Sequence, residues 1–305
     1  MSTLSDSFDV NGEGFEIDGL NTKEEKSFLP YTDELIYDEA TKNYSMSRYR
    51  ASDRNILELL TAYPLLSRDV IRDVLGEWAH DEVEFLYDKG ALSRFGGRRA
   101  YGEGAACVNC YYVSENARNA LHLANTWGDI ADMSVPMRLE IASLSRWCSY
   151  TIRNGRNDRL RVSYYGKPDK EHPYLEVVIK KRIRQDFFHS TPCTFHVMCR
   201  PKSEDRMLPF LGTLLRYNSI MAEEEQLSVT GKSFVVILCE SDDNMERFSV
   251  ELNHLFRSRK IDPVSAQHFL YSLEEDALDE KGSFKFLHLI TFPDSTIRRQ
   301  QMAFR

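Results

Sequence analysis

No apolar run in this chain approaches the ~20 residues that a membrane-spanning helix needs. The N-terminus also lacks the basic-then-apolar pattern of a secretory signal peptide, because Asp6, Asp9 and Glu13 fall where such a segment is basic or apolar. Cysteine is sparse: six scattered through 305 residues suit a reducing compartment and not a disulfide framework. These absences predict a cytoplasmic protein without a membrane partner. No Gly-x-Ser-x-Gly elbow is present, so a hydrolase triad has no support. Gly96-Gly97-Arg98-Arg99 lacks the lysine and following helix of a phosphate-binding loop. Cys107-Val108-Asn109-Cys110 has no second ligand pair at zinc-finger spacing. Cys193, His196 and Cys199 match metal ligands in type, yet strand alternation puts His196 on the face opposite both cysteines. Neither a metal nor a cofactor is expected, and no internal repeat has a solenoid period.

What is present is length for two cores, with 42% hydrophobic residues, and a charge of −8 that is unevenly placed. Residues 1–45 hold 11 Asp/Glu against 3 Lys/Arg, so they account for the whole excess. The remainder balances, but residues 150–216 carry 14 Lys/Arg against 7 Asp/Glu. An acidic total therefore hides a basic segment, and a nucleic-acid partner stays open. Residues 1–45, with turn signals at Asn11-Gly12, Gly14 and Asp18-Gly19, read as an irregular acidic arm. The arm is either a bare leader or a screen that lies on the basic segment until DNA displaces it.

Residues 46–124 read as a winged helix-turn-helix. Ser52 caps a helix through Ile56, Leu57, Leu59 and Leu60 that ends at Tyr63-Pro64. Ser67 caps a second helix with Val70, Ile71, Val74 and Leu75 at core spacing and Gly76 as its stop. A third spans about 79–89, with Val83, Leu86 and Tyr87 inward and Gly90 at its exit. Residues 92–95, the Gly96-Gly97 turn and the run 108–113 form the wing, and Ser114 caps a closing helix.

This module resembles the N-terminal part of the replication-relaxation family of plasmids and integrative elements. The likeness rests on residues 54–121: Arg54-Asn55-Ile56-Leu57-Glu58-Leu59-Leu60, Leu65-Leu66-Ser67, Leu86-Tyr87-Asp88-Lys89-Gly90-Ala91-Leu92, and Tyr111-Tyr112-Val113-Ser114 leading to Ala117 and Leu121. The resemblance implies a second domain of restriction-endonuclease-like α/β fold in degenerate form. It also implies a non-enzymatic DNA-binding accessory role in the replication, relaxation or transfer of a mobile element.

Residues 125–136 read as the connection, and residues 137–305 as an α/β domain with a mixed sheet. A helix near 137–153 places Leu139, Ile141, Leu144 and Trp147 on its core faces. Strands are expected at 160–165, 174–180 and 194–199, then a long helix over 203–225 and a buried central strand at 234–239. Helices at 244–256 and 263–273 and a strand at 284–292 complete the reading. Helix, three strands, helix, strand is the order of the restriction-endonuclease-like core. A nuclease of that fold needs an acid entering the second strand and an acid with a lysine on the third. Asp169 suits the first position, but 194–200 offers neither partner, and Glu176 and Lys180 share a face without the motif. Catalysis is not expected.

For a DNA contact the candidates are Arg94, Arg98 and Arg99 on the wing, and Arg156, Arg159, Arg161, Lys180, Lys181, Arg182 and Arg184 in the basic segment. Tyr164-Tyr165 and Phe187-Phe188 adjoin the basic clusters, a mixture suited to phosphate tracking and base stacking. Equally, the aromatics can be sheet core and the charges its solvated rim. The third helix offers Asp81, Glu82, Glu84 and Asp88 against Lys89, which disfavours insertion beside phosphates. That helix and the acidic arm suit a protein partner instead, as in an inhibitor with an acidic surface.

Overall fold

The computed structural model describes residues 35–45, 50–99, 109–154, 160–167, 172–184, 187–188, 193–226, 232–260, 268–274, 277–278, 284–291 and 297–303. Helices and two sheets mix along the chain, an α+β organisation. It divides into two compact units, Met1–Tyr150 and Thr151–Arg305. Among the described residues no helix is long and apolar enough to cross a membrane.

In the first unit, α1 (Ala51–Ala62), α2 (Arg68–Leu75) and α3 (Trp78–Asp88) precede β3 (Leu92–Arg99), β4 (Cys110–Val113) and α4 (Glu115–Ala120). The first helix starts one residue before the expected Ser52 cap. Arg50 is its N-cap, and the Asp53 carboxylate accepts the Arg50 backbone N–H at 2.5 Å, satisfying a donor the helix leaves open. Ser67 and Ser114 do cap α2 and α4, accepting from Val70 and Ala117 at 3.3 and 3.2 Å. After Pro64, Leu65 takes φ +62, which costs ~1–2 kcal/mol for an L-residue. Its complete burial and its N–H to the Tyr111 carbonyl at 2.9 Å offset that strain. One core joins Ile56, Leu57 and Leu60 of α1, Val70 and Ile71 of α2, Val83, Leu86 and Tyr87 of α3, and Tyr111 and Val113 of β4. Each such aliphatic side chain contributes ~1.5–3 kcal/mol on burial.

Two expectations for this unit change. Residues 35–41, placed in the irregular arm, form β1 (Leu35–Thr41), antiparallel to β3 along its whole length. With β2 (Leu66–Ser67) the sheet runs β1-β3-β4-β2. Gly96 and Gly97 are therefore not the hairpin turn: they lie inside β3, opposite Asp38 and Tyr37, because β1 gives the strand a partner on its second edge. A Cβ on Gly96 would meet Asn109 Oδ1 at 2.2 Å, so glycine admits that close approach. Residues 125–136 are also more than a connection. Trp127 is buried and donates its indole N–H to the Ala62 carbonyl at 2.8 Å, and Ile130 is buried beyond it. The unit boundary consequently falls within the last turn of α5 (Val135–Asn154), where Leu139, Ile141, Leu144 and Trp147 are buried as expected.

The second unit holds β5 (Leu160–Lys167), β6 (Tyr174–Arg184), β7 (Phe187–Phe188), β8 (Cys193–Cys199), α6 (Met207–Gln226), β9 (Lys232–Cys239), α7 (Asp242–Ser258), β10 (Phe269–Leu273), β11 (Lys285–Thr291) and β12 (Ile297–Ala303). The sheet order is β12-β11-β10-β9-β8-β6-β5, with β7 beside β6. Only β9 runs parallel to its neighbours, β8 and β10; the other pairs are antiparallel. The apolar run in β9 makes it the buried centre. Phe210, Leu214 and Met221 of α6 and Met245, Phe248 and Leu252 of α7 pack into one cluster with Val235, Ile237, Met198 and Tyr271. The helix expected over 263–273 is overturned in its described part, since Phe269–Leu273 is strand β10. A short apolar run has no period that separates buried strand from buried helix. Residues 261–267 lie outside the described residues.

Candidate nucleic-acid interface

Backbone register decides which residues of the basic segment share a surface. In β5–β6, Arg161 stands opposite Lys180, Ser163 opposite Val178, Tyr165 opposite Glu176 and Lys167 opposite Tyr174. Arg182 and Arg184 follow on β6, with an irregularity in the β6–β7 ladder between them that interrupts strict alternation. The reverse face carries Leu175, Val177 and Ile179, all buried. On β6 one face is thus apolar and buried, and the other is mixed, with Tyr174, Glu176 and Val178 leading to Lys180 at a basic end opposite Arg161.

Lys180 is exposed and Tyr165 is 50% exposed, so the face meets solvent at these two residues. Ser163, Lys167, Glu176 and Val178 are half-buried, and Tyr174 packs against Tyr217 of α6 with ring centroids 6.3 Å apart. Lys167 Nζ stands 3.9 Å from Glu176 and 6.0 Å from the Tyr165 ring centroid. Like charges directly opposite in a ladder destabilise a sheet, and Arg161 with Lys180 is such a pair. An anion between them would relieve it. Of the other candidates, Lys181 stands opposite Leu160, on the reverse face. Arg182 and Arg184 are held opposite Phe188 and Phe187. Arg156 and Arg159 lie outside the described residues, as do Asp169 and Cys107.

The wing candidates are differently placed. Arg98 and Arg99 sit in β3 opposite Ile36 and Leu35, not at a hairpin tip. Arg94 lays its guanidinium over the Tyr87 ring at 4.7 Å, a packing contact on α3.

The acids of α3 are mostly answered by cations from neighbouring elements. Glu82 pairs with Arg50, Glu84 with Arg68 at 3.3 Å, and Asp88 with Lys42 at 2.5 Å. Glu84 also accepts from the Tyr111 hydroxyl at 2.5 Å; burial first, then this bond, pushes the Tyr111 phenol well above its ordinary range. Asp81 alone of the four is fully exposed. Two aromatics share its outward stripe, Trp78 at 43% and Phe85 at 42% exposure, with Arg50 and Lys89 over the Phe85 ring at 5.1 and 5.5 Å.

Sequence reading missed one cluster entirely. At the carboxyl ends of the parallel strands β8, β9 and β10, Lys202 Nζ is held by Glu240 at 2.7 Å and Glu274 at 2.8 Å, with the lysine and Glu274 side chains wholly buried. Burial alone would lower the Lys202 pKa, but Cys199, Glu240 and Glu274 outweigh it and hold the ammonium well above its usual value. Asn244 donates to the second Glu240 oxygen at 2.9 Å. Carboxyl ends of parallel strands are where α/β sheets place their sites. Here the ammonium fills the space between the two carboxylates. Its members are 34 or more residues apart in sequence, so no motif announces them.

Comparison with protein-family models, with curated proteins and with solved structures finds no match for the chain.

Proposed function

We propose that this protein is a non-enzymatic, cytoplasmic DNA-binding accessory protein of a mobile genetic element, acting in its replication, relaxation or transfer. Its first unit is read as a winged helix-turn-helix and its second as a degenerate restriction-endonuclease-like domain, following the resemblance to the replication-relaxation family. The observation that carries the reading is the β5–β6 face. Arg161 stands opposite Lys180, and Arg182 and Arg184 continue the row on β6. Among the described residues the β6–β8 ladder ends at Ile179–Cys193, so Lys180 and Lys181 pair with β5 alone and Arg182 and Arg184 with β7 alone. Blocking of open strand edges is the competing account of these cations. Their concentration beside Arg161 on adjacent strands is suited to neutralising phosphate.

The test is DNA binding followed by mobility shift or anisotropy from ~50 to ~200 mM salt, where backbone-dominated affinity falls steeply. Lys180→Glu should weaken binding and flatten the plot of log K against log salt by about 0.9 for a lost phosphate contact. Absence of binding at the lowest salt would overturn the reading. A second reading, a protein-interaction module, is favoured by exposed Trp78 and Phe85 beside Asp81 on α3. A partner lost on Trp78→Ala, in a protein that binds no DNA, would establish it. Mg²⁺-dependent cleavage abolished by Glu240→Gln or Glu176→Ala would move the chain to the nucleases.

A further inference from the structure

The DNA-binding reading leaves open which form of DNA the β5–β6 face fits. A duplex presents phosphates outward and keeps its base faces stacked on one another. A single strand presents both phosphates and open base faces. The face in question has two chemically distinct ends. At one end stand Arg161 and Lys180, with Arg182 and Arg184 continuing beyond them. At the other end Tyr165 is half exposed, opposite Glu176 and beside Lys167.

Tyr165 is the informative residue. An aromatic ring left half open on a sheet face, when the reverse face of the same ladder buries Leu175, Val177 and Ile179, is not core. Its hydroxyl can donate to a phosphate, but the open ring face suits a flat partner, and every base has a π-face. Glu176 repels phosphate yet accepts hydrogen bonds from exocyclic amino groups, so its end of the platform suits a base edge. The four steps from Arg161 to Tyr165 span ~13 Å at ~3.3 Å each. Phosphate binding and base stacking are thus side by side on one rigid surface. The alternative explanation for cations here, protection of open strand edges, does not account for the ring.

We infer that the β5–β6 face binds single-stranded DNA in preference to duplex, with Tyr165 stacking on a base and the Arg161–Lys180 end holding phosphates. This rests on the DNA-binding reading above.

The test uses the full chain and one labelled deoxyoligonucleotide, presented single-stranded and as its duplex, by anisotropy at moderate salt. The single strand should bind at least about tenfold tighter, and Tyr165→Ala should weaken it about 5- to 150-fold, the worth of one stacked base, while duplex affinity stays within about twofold. Tyr165→Phe keeps the ring and should keep the affinity. Tyr165→Thr, which retains a strand-favouring side chain without the ring, should reproduce the alanine loss if alanine impairs folding. Duplex binding as tight as single-strand binding would overturn this inference and leave the DNA-binding reading standing. Single-strand binding indifferent to Tyr165→Ala would overturn the stacking platform. Binding of neither form would overturn both.

Discussion

Lys202 Nζ lies 2.7 Å from Glu240 Oε1, out of contact with solvent, and the same ammonium meets Glu274 at 2.8 Å. The three residues follow β8, β9 and β10, so the cluster pins together the ends of the parallel core of the second unit. The second Glu274 oxygen is buried and makes no hydrogen bond among the described residues, which leaves the ammonium as the main compensation for that carboxylate.

Lys202→Met should therefore be severe. It removes the cation and leaves two buried carboxylates facing each other, a situation that costs ~3–5 kcal/mol. Replacing the set by apolar and amide groups, as in Lys202→Met with Glu240→Gln and Glu274→Leu, should restore most of the loss, because the pair's attraction mainly offsets its own desolvation. Urea unfolding of the two variants measures both effects. A single-variant loss below ~1 kcal/mol would mean that water reaches the carboxylates after all.

Truncation separates the acidic arm from the fold. Removing residues 1–34, whose sequence has no sustained apolar period, should leave stability unchanged. Removing residues 1–45 also takes β1, whose seven register pairs complete β3, together with the Lys42–Asp88 ion pair and the Ser45 N–H to the Lys89 carbonyl at 2.9 Å. It further strips Ala40 and Tyr44 from the core of the first unit. That deletion should lower stability by at least ~2 kcal/mol. Equal unfolding midpoints for the two truncations would show that β1 contributes nothing.

That boundary also shows what a single sequence can reveal. Elements with local punctuation were legible: Ser67, Gly76, Gly90 and Ser114 mark helix ends by chemistry that acts within four residues. The β9 run was legible because six consecutive apolar residues, 234–239, leave a strand no polar face. β1 was not, since its partner β3 lies more than fifty residues away and its seven residues, with Asp38 and Glu39 among them, sit at the end of an acidic stretch. β10 was misread because five residues carry too little period. For the candidate interface, the residue types were visible but not their register. Only the β5–β6 pairing puts Arg161, Lys180 and Tyr165 on one face and Lys181 on the other.

Two glycines should respond differently to the same methyl. At Gly90, φ is +71 and an added Cβ would sit 2.5–2.6 Å from backbone atoms of Lys42 and Asn43, which cannot turn aside. Gly90→Ala combines left-handed strain of ~1–2 kcal/mol with overpacking of ~1–3 kcal/mol. At Gly96 the close atom is Asn109 Oδ1, the end of an exposed side chain that can rotate away. Gly96→Ala should cost less than ~1 kcal/mol. Thermal unfolding of the two variants checks the ranking, and a larger loss at Gly96 would show that the β1–β3–β4 contact is tighter than the turn at Gly90.

Asp53 of α1 and Glu82 of α3 converge on Arg50, whose Nη2 lies 3.4 Å from Asp53 and closer still to Glu82. One guanidinium between two carboxylates leaves a net negative charge. Burial first, then the hydrogen bond and charge of Asp53, raise the Glu82 pKa above its ordinary 4.5, against the opposing pull of Arg50. An acid raised on folding binds its proton more tightly folded than unfolded. The stability from that proton is complete below the unfolded value and is lost as pH rises through the folded one. Glu82→Gln lacks this titration. The stability of the glutamine variant minus that of the native protein should therefore grow as pH rises from about 4 to about 7. Titrating groups that do not interact with Glu82 are common to both proteins and cancel in the difference. Urea unfolding at matched pH values measures it. A difference that is flat or shrinks across that range would mean that Arg50 outweighs burial and Asp53, and that Glu82 is an ordinary ion-pair partner.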